Sequence, residues 1–299
     1  MAKILISGGT GMVGRRLTAL LLKAGYEVNN LSRSGSAPQG ATGFRWNYPT
    51  GEIDEKAFEG VSKVIHLAGA PVADGLWTAS RKKILTESRL KTGELLVKTS
   101  LKLGISLDQF ITASGIAYYG FEPDNHSYTE EDPVGPGYLG ELARQWEGVS
   151  KPLEDQGIPV TRIRIGVVLG PEGALPKLAL PVKWGVGSAM GNGRQVMSWI
   201  HLEDLCQLFL FCVQNDQTGI FNAVSPEPRT QKDFIRTIAK VVNRPMWAPA
   251  IPGGLLKMAA GDMAREMLLG GITVSSEKIR NLGFEFQYPD LHSALRDLL

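Results

Sequence analysis

Ser7-Gly8-Gly9-Thr10-Gly11-Met12-Val13-Gly14 is the stretch that decides how this chain is read. It grows out of a short apolar run, Lys3–Ser7, and runs into Met12–Lys23, whose apolar residues recur at helical spacing until Gly25 ends them. Gly8, Gly11 and Gly14 stand in the order G-x-x-G-x-x-G. In a strand–turn–helix unit the first glycine permits the tight turn and the second lets backbone approach a pyrophosphate. The third lets the helix pack closely on the strand. The helix N-terminus adds unpaired N–H groups and the positive end of a dipole. A bare glycine pattern says little, but here the strand precedes it and the helix follows it. Gly8, Thr10, Gly11, Met12, Val13 and Gly14 are therefore the candidate phosphate contacts of a dinucleotide.

The next strand, Glu27–Leu31, reports which dinucleotide. An acidic residue at its end would bond the ribose hydroxyls of NAD. The chain reads Asn29-Asn30-Leu31-Ser32-Arg33 instead, with no carboxylate. A Ser32 hydroxyl and an Arg33 guanidinium suit a 2′-phosphate, which an arginine fork pairs bidentately. The expected cofactor is NADP(H), against the plain alternative of a solvated arginine on a loop.

Outward from this unit, strand and helix keep alternating. Lys63–Leu67 and Gln109–Thr112 read as buried strands, separated by an amphipathic stretch from Thr78 to Leu103. Leu139–Asp155 reads as helix, and Val160–Leu169 as one strand stopped by Gly170-Pro171. Such alternation predicts an α/β fold, a doubly wound parallel sheet with helices on both faces. After Gly170 glycine, proline and methionine become frequent, so Pro181 to Gly193 reads as loop or lid. A strand returns at Gly219–Val224. The tail, Ser225–Leu299, is broken by Pro245, Pro249, Pro252 and Gly270-Gly271 and reads as a small, mostly helical lobe. The expected division is residues 1–224 for the dinucleotide-binding domain and 225–299 for a substrate or lid lobe.

Composition narrows the class. With 299 residues, 43% hydrophobic and 21% charged, the chain reads as a globular enzyme rather than a disordered segment. The 32 basic and 30 acidic residues are interspersed, and no basic tract points to nucleic acid. No apolar run approaches the ~20 residues that span a bilayer, and the N-terminus lacks a signal-peptide pattern. Cys206 and Cys212 have no metal-ligand spacing, so no metal site is expected. A cytoplasmic location, a small-molecule substrate and a homodimer are the corresponding expectations.

Several further segments carry a family likeness. They are His66-Leu67-Ala68-Gly69-Ala70-Pro71, Trp77-Thr78, Ser88-Arg89, Ser114 through Tyr118-Tyr119-Gly120 and Trp146-Glu147. Farther on come Arg164-Ile165-Gly166-Val167-Val168-Leu169-Gly170, Ser198-Trp199-Ile200-His201 with Asp204, Phe221-Asn222-Ala223-Val224-Ser225-Pro226 and Gly283-Phe284-Glu285-Phe286. With the glycine loop they cover nearly the whole chain, which resembles the extended and atypical short-chain dehydrogenase/reductases. More narrowly it is similar to the NAD(P)-dependent epimerase-like proteins often described as sugar-nucleotide epimerases or cell-division-inhibitor-like. The resemblance implies a seven-stranded Rossmann core and cofactor contacts from Leu67, Ala68 and Gly69 on the adenosine side. It also implies that Arg89 reaches in from the following helix and that Val167 lies near the nicotinamide.

Short-chain dehydrogenases usually pair a Ser or Thr with a Tyr, and place a Lys four residues after the Tyr to favour its phenolate. Ser114 and Tyr138, 24 residues apart, match the first two and are the candidate catalytic residues. Four residues after Tyr138 stands Leu142, and Arg144 lies on another side of the helix. An unassisted phenol has a pKa near ~10, so the usual relay is incomplete. Three readings stay open: chemistry with another cation or with Tyr118 or Tyr119, hydride transfer that needs little acid help, or a non-catalytic NADP(H)-binding regulator acting through a protein partner. His201, at a helix start with Asp204 to cap or orient it, is a secondary acid candidate. Arg194, in the flexible Gly187 to Gln195 stretch, is a candidate for an anionic group, and Trp77, Arg81, Lys82 and Lys83 form an aromatic-basic cluster.

Overall fold

Lys3–Ser7 is buried at four of its five positions, as a strand covered on both faces must be. The computed structural model describes residues 2–122 and 125–299. In chain order the strands are β1 (Lys3–Ser7), β2 (Glu27–Ser32), β3 (Thr42–Asn47), β4 (Glu52–Ile53), β5 (Val61–His66), β6 (Gln109–Gly115) and β7 (Ser127–Tyr128). Then follow β8 (Val160–Ile165), β9 (Val167–Leu169), β10 (Val196–Met197), β11 (Trp199–His201), β12 (Gly219–Ala223), β13 (Arg229–Thr230) and β14 (Thr273–Val274). The helices are α1 (Met12–Lys23), α2 (Ala79–Lys102), α3 (Tyr138–Gly148), α4 (Lys151–Glu154) and α5 (Ala174–Lys183), then α6 (Leu202–Gln214), α7 (Gln231–Val241), α8 (Gly253–Met263), α9 (Glu277–Asn281) and α10 (Leu291–Leu298).

The main sheet has eight strands in the order β12-β8-β6-β5-β1-β2-β3-β4. All its pairs are parallel except β3 with β4. Alternate side chains face opposite layers. Ile4, Ile6, Ile65 and Ile111 meet Leu17 and Leu21 of α1 and Leu205 and Phe209 of α6. Leu5, Leu31, Val64 and Phe110 meet Leu96 and Val97 of α2 on the other face. This is the doubly wound α/β architecture expected from the alternation.

Four local expectations change. The short edge strand β4 makes the sheet eight-stranded rather than seven. Val160–Leu169 is two strands, because the chain changes partner at Gly166: the Gly166 amide bonds Ala223 O, whereas the Val167 amide bonds Ser198 O. A Cβ at Gly166 would lie 2.6 Å from Ser198 O, so only glycine allows the switch. β9 then pairs in parallel with β11, outside the main sheet. Leu139–Asp155 likewise divides into α3 and α4, the second opening on Pro152, which has no amide to continue a helical ladder.

Pro181–Lys183, expected as loop, complete α5. Beyond them, Leu175 of α5, Phe234 and Ile238 of α7, and Leu291 and Leu295 of α10 share one buried cluster with Trp199. The segment from α8 through the turn Ala264–Leu268 reaches back over α2 and α3, where Met263 and Met267 pack with Trp77, Leu85, Leu139 and Leu142. No helix among the described residues is long and apolar enough to cross a membrane.

Candidate active site

Strand order reverses at β1, whose neighbours β2 and β5 lead to opposite halves of the sheet. Ligands of open α/β sheets collect outside the carboxyl ends of the strands at such a point. The glycine loop lies there, and its glycines have different physical reasons. Gly8 has φ +80° and its Cβ would sit 2.9 Å from the Ala68 amide nitrogen, so the ends of β1 and β5 touch at this position. A Cβ on Gly14 would come within 2.4 Å of Gly8 O and Gly9 Cα, which is the close helix–strand packing foreseen. Gly9, not singled out in the sequence, is glycine because Asn30 Oδ1 occupies its Cβ position at 2.0 Å. Gly11 differs from all three. Its backbone (φ −75°, ψ 171°) suits any residue, and a Cβ there would meet nothing nearer than Gly8 O at 3.5 Å. The protein itself leaves that position open.

Gly11 also caps α1 without any side-chain acceptor and no acidic residue occupies the first turn. The helix N-terminus is thus unneutralised. Thr10 is exposed, and its carbonyl accepts from Arg15 Nη1 at 2.6 Å. Met12 and Val13 are half-buried, with Met12 against Gly170 at the end of β9. Beneath the loop, Ser7 Oγ and His66 Nδ1 are 2.9 Å apart, and burial lowers the His66 pKa to about 4, so the ring is a neutral strut.

Leu67, Ala68 and Gly69 continue from β5 along the same edge, and the Leu67 amide donates to Ser7 O. Arg89 of α2 packs against Gly69. Its guanidinium is buried, donating to Leu85 O and Ala70 O at 3.0 Å each, over the Trp146 ring. No carboxylate partners it among the described residues. Burial lowers its pKa to about 10, still cationic at neutral pH. A buried cation without a counter-charge, beside an uncapped helix N-terminus and an open glycine, fits an anionic dinucleotide. At the end of β2, Ser32 is buried and its hydroxyl donates to Ser36 O at 2.7 Å. Arg33 is exposed, with no side-chain partner among the described residues. Val167 is half-buried at the start of β9. No group of acidic, histidine or cysteine side chains among the described residues has the arrangement of a metal site.

The candidate catalytic pair is placed differently. Ser114 donates to Glu147 Oε1 at 2.7 Å inside a closed network. Arg164 forks onto the same carboxylate at 2.8 and 2.9 Å, and donates to the Tyr119 hydroxyl at 2.9 Å, which itself donates to Asn222. Burial opposes the Arg164 charge, but Glu147 and Tyr119 outweigh it and raise the pKa. Burial pushes the Tyr119 phenol up to about 12. Tyr138 lies elsewhere. Its hydroxyl donates to Lys82 O at 2.8 Å, with Thr86 Oγ1 at 3.2 Å, and its ring meets Trp77 edge-on at 5.5 Å. The two hydroxyls are therefore not hydrogen-bonded to each other. Leu142 is buried in the apolar cluster beneath Trp77.

Other side chains resolve similarly. His201 is itself the cap of α6, accepting from the Glu203 amide, while Asp204 accepts from the Gln287 and Tyr288 amides instead of orienting it. Lys82 pairs with Asp262, Arg81 donates to Pro71 O, and Arg194 is exposed. Glu266 was missed in the sequence. Its carboxylate accepts from the Tyr138 and Leu139 amides at 3.1 and 3.0 Å and so caps α3 from 128 residues away. No local pattern announces such a cap.

Residues 4–223, the span holding all of the main sheet but Lys3, match the NAD dependent epimerase/dehydratase family. The chain belongs to that family. Residues 251–298 match a second family, a domain of unknown function (DUF1731). Epimerase family protein YfhF of Bacillus subtilis is 33% identical over 99% of this chain and 97% of its own length. Epimerase family protein Mb2239 of Mycobacterium bovis is 33% identical over 98% and 96% respectively. Among solved structures, human epimerase family protein SDR39U1 with NADPH superposes with a TM-score of 0.86 at 28% identity, covering 99% of this chain and 98% of that one.

For an epimerase/dehydratase family member, the glycine loop at the strand edge is conventional and the placement of Ser114 and Tyr138 is not. The family is described as NAD dependent, and here the glycine loop, Leu67–Gly69 and Arg89 stand along one strand edge. The serine and tyrosine hydroxyls are both engaged inside the protein.

Proposed function

We propose that this chain binds NADP(H) across the β1/β5 switch point and works as an oxidoreductase or epimerase-like enzyme on a small polar substrate, a nucleotide-linked sugar being the favoured class. Gly8, Thr10, Gly11, Met12, Val13, Gly14 and Arg89 would hold the phosphates, Leu67, Ala68 and Gly69 the adenosine side, and Val167 the nicotinamide side. When bound, the cofactor supplies the hydride donor or acceptor. The observation that carries the choice of NADP(H) is Arg33, exposed and unpartnered where an NAD-binding strand would end in a carboxylate. The human relative solved with NADPH supports the same choice.

The cofactor assignment predicts that NADPH binds far more tightly than NADH and that Arg33→Ala brings the two dissociation constants together, mainly by weakening NADPH about 10- to 100-fold. Fluorescence titration of reduced cofactor measures both. Equal affinity in the unmutated protein would overturn the assignment.

The engaged hydroxyls favour a second reading, a non-catalytic NADP(H)-binding regulator. A phenol donating to Lys82 O has no free proton to deliver and no lysine four residues on to lower its pKa. Stopped-flow absorbance of bound NADPH against a panel of carbonyl compounds and nucleotide sugars separates the two. The enzyme reading expects oxidation of the nicotinamide by at least one of them. No hydride loss across the panel, together with protein-partner binding that changes with NADP(H), would replace it with the regulator.

A further inference from the structure

We propose that Arg45 is a second 2′-phosphate-binding residue, so that the adenosine end of the site is read by two guanidinium groups, Arg33 from the end of β2 and Arg45 from the neighbouring strand β3. The proposal rests on the NADP(H) reading above and deepens it.

Ser32 and Arg45 are direct register partners in the parallel β2–β3 pair, so their side chains leave the same face of the sheet at the same level. Phe44 and Trp46, on either side of Arg45, pack into the cluster on the opposite face. The turn that follows β2 folds back over the Arg45 face. Asn30 Nδ2 and Ser32 Oγ both donate to Ser36 O, at 2.8 and 2.7 Å, which pins residues 33–36 against the strand ends. That turn is seated on β3: a Cβ on Gly43 would lie 2.0 Å from Gly35 O, and a Cβ on Gly35 would lie 3.8 Å from Arg45 Cβ. Arg33 and Arg45 therefore flank one short turn at the carboxyl edge of the sheet.

Neither cation is neutralised. Both residues are exposed, and neither side chain has an ion pair or hydrogen bond among the described residues. The acidic residues nearest in sequence to Arg45 are occupied or turned elsewhere: Asp54 caps the following turn at the Lys56 amide, and Glu52 sits opposite Asn47 on β4. Two like charges left unpaired about one turn repel each other, and a dianionic phosphate between them removes that repulsion. A ribose 2′-hydroxyl gains nothing from the second guanidinium. The pair accordingly acts on the difference between phosphorylated and unphosphorylated cofactor and leaves the shared part of the dinucleotide alone.

The test measures NADPH and NADH affinity by fluorescence titration for the full chain and for Arg45→Ala, Arg45→Gln, Arg33→Ala and the double alanine variant. Adenosine 2′,5′-bisphosphate and 5′-AMP serve as competing probes that lack the nicotinamide. Arg45→Ala and Arg45→Gln are expected to weaken NADPH and the bisphosphate about tenfold while NADH and 5′-AMP stay within about twofold. An Arg45 variant that binds NADPH like the parent, while Arg33→Ala weakens it, would overturn the role of Arg45 and leave the cofactor reading standing. Equal weakening of NADPH and NADH would also overturn it, because Arg45 would then support the turn and not the phosphate. A parent protein without preference between NADPH and NADH would remove both readings together.

Discussion

Glu147→Ala is expected to destabilise the fold by about 3–5 kcal/mol, seen as a fall in Tm of roughly 10 °C. Glu147 is the counter-charge of Arg164, and both side chains are almost wholly buried, at 8% and 1% exposure. Removing the carboxylate leaves a guanidinium deep in the sheet with Tyr119 and the Glu130 carbonyl as its remaining acceptors among the described residues. Leaving a buried charge unpaired costs more than losing an ordinary hydrogen bond, so Ser114→Ala, which removes only the donor to the same carboxylate, should cost about 1 kcal/mol. Glu147→Gln keeps the shape and an acceptor while removing the charge, and belongs between the two. Melting curves at neutral pH give the order directly. A Glu147→Ala protein melting within about 2 °C of the parent would show that Arg164 finds solvent or another partner. The network would then not be the closed structural unit described above. The comparison also bears on chemistry, because a serine whose removal affects stability alone is a packing residue.

Gly14→Ala and Gly11→Ala should fail in opposite ways. The Gly14 Cβ would be driven to within 2.4 Å of backbone atoms of Gly8 and Gly9, which cannot rotate away as a side chain would. The helix must lift or the loop must shift, costing about 2–3 kcal/mol of stability and displacing the dinucleotide loop as well. Gly11→Ala meets no atom closer than 3.5 Å and keeps an ordinary backbone conformation, so its Tm should stay within about 2 °C of the parent, since loss of chain entropy in the unfolded state works in its favour. Its NADPH affinity should nevertheless fall about 100-fold, because the methyl group fills the space through which a pyrophosphate approaches the helix N-terminus. Paired thermal melts and fluorescence titrations check both halves. Gly11→Ala binding NADPH like the parent would move the phosphate site away from this loop. Gly14→Ala with unchanged stability would contradict the packing.

The strand–turn–helix unit of the proposed dinucleotide site was legible because its signals are local. A strand, a glycine-spaced turn and an amphipathic helix lie within Lys3–Lys23. Leu31-Ser32-Arg33 announces its own lack of a carboxylate. The alternation that predicts a parallel sheet is also a property of short windows, and β1, β2, β5, β6 and β12 fall close to where periodicity placed them. β3 was missed. Its six residues contain only two core-facing side chains, Phe44 and Trp46, too short a pattern to stand out without the neighbouring strand. The break at Gly166 was missed because it depends on Ser198, 32 residues away, offering its carbonyl to Val167.

The acid–base half shows the limit more sharply. Ser114 and Tyr138 stand at a spacing that suits a catalytic pair, yet where each hydroxyl points depends on Glu147, Arg164 and Lys82, which arrive on other elements. Glu266 caps the helix that carries Tyr138 from the far end of the chain, and Arg45 meets the Arg33 turn only because β3 pairs with β2 in register. By itself the sequence determined the fold class and named the glycine loop and the strand-end residues of the proposed cofactor site, since these follow from propensity, period and glycine geometry over a few residues. Only the tertiary structure decided which hydroxyls are already engaged, which cations lack a partner and which glycine is open to a ligand. Those are properties of contacts between residues far apart in the chain, and no local pattern encodes them.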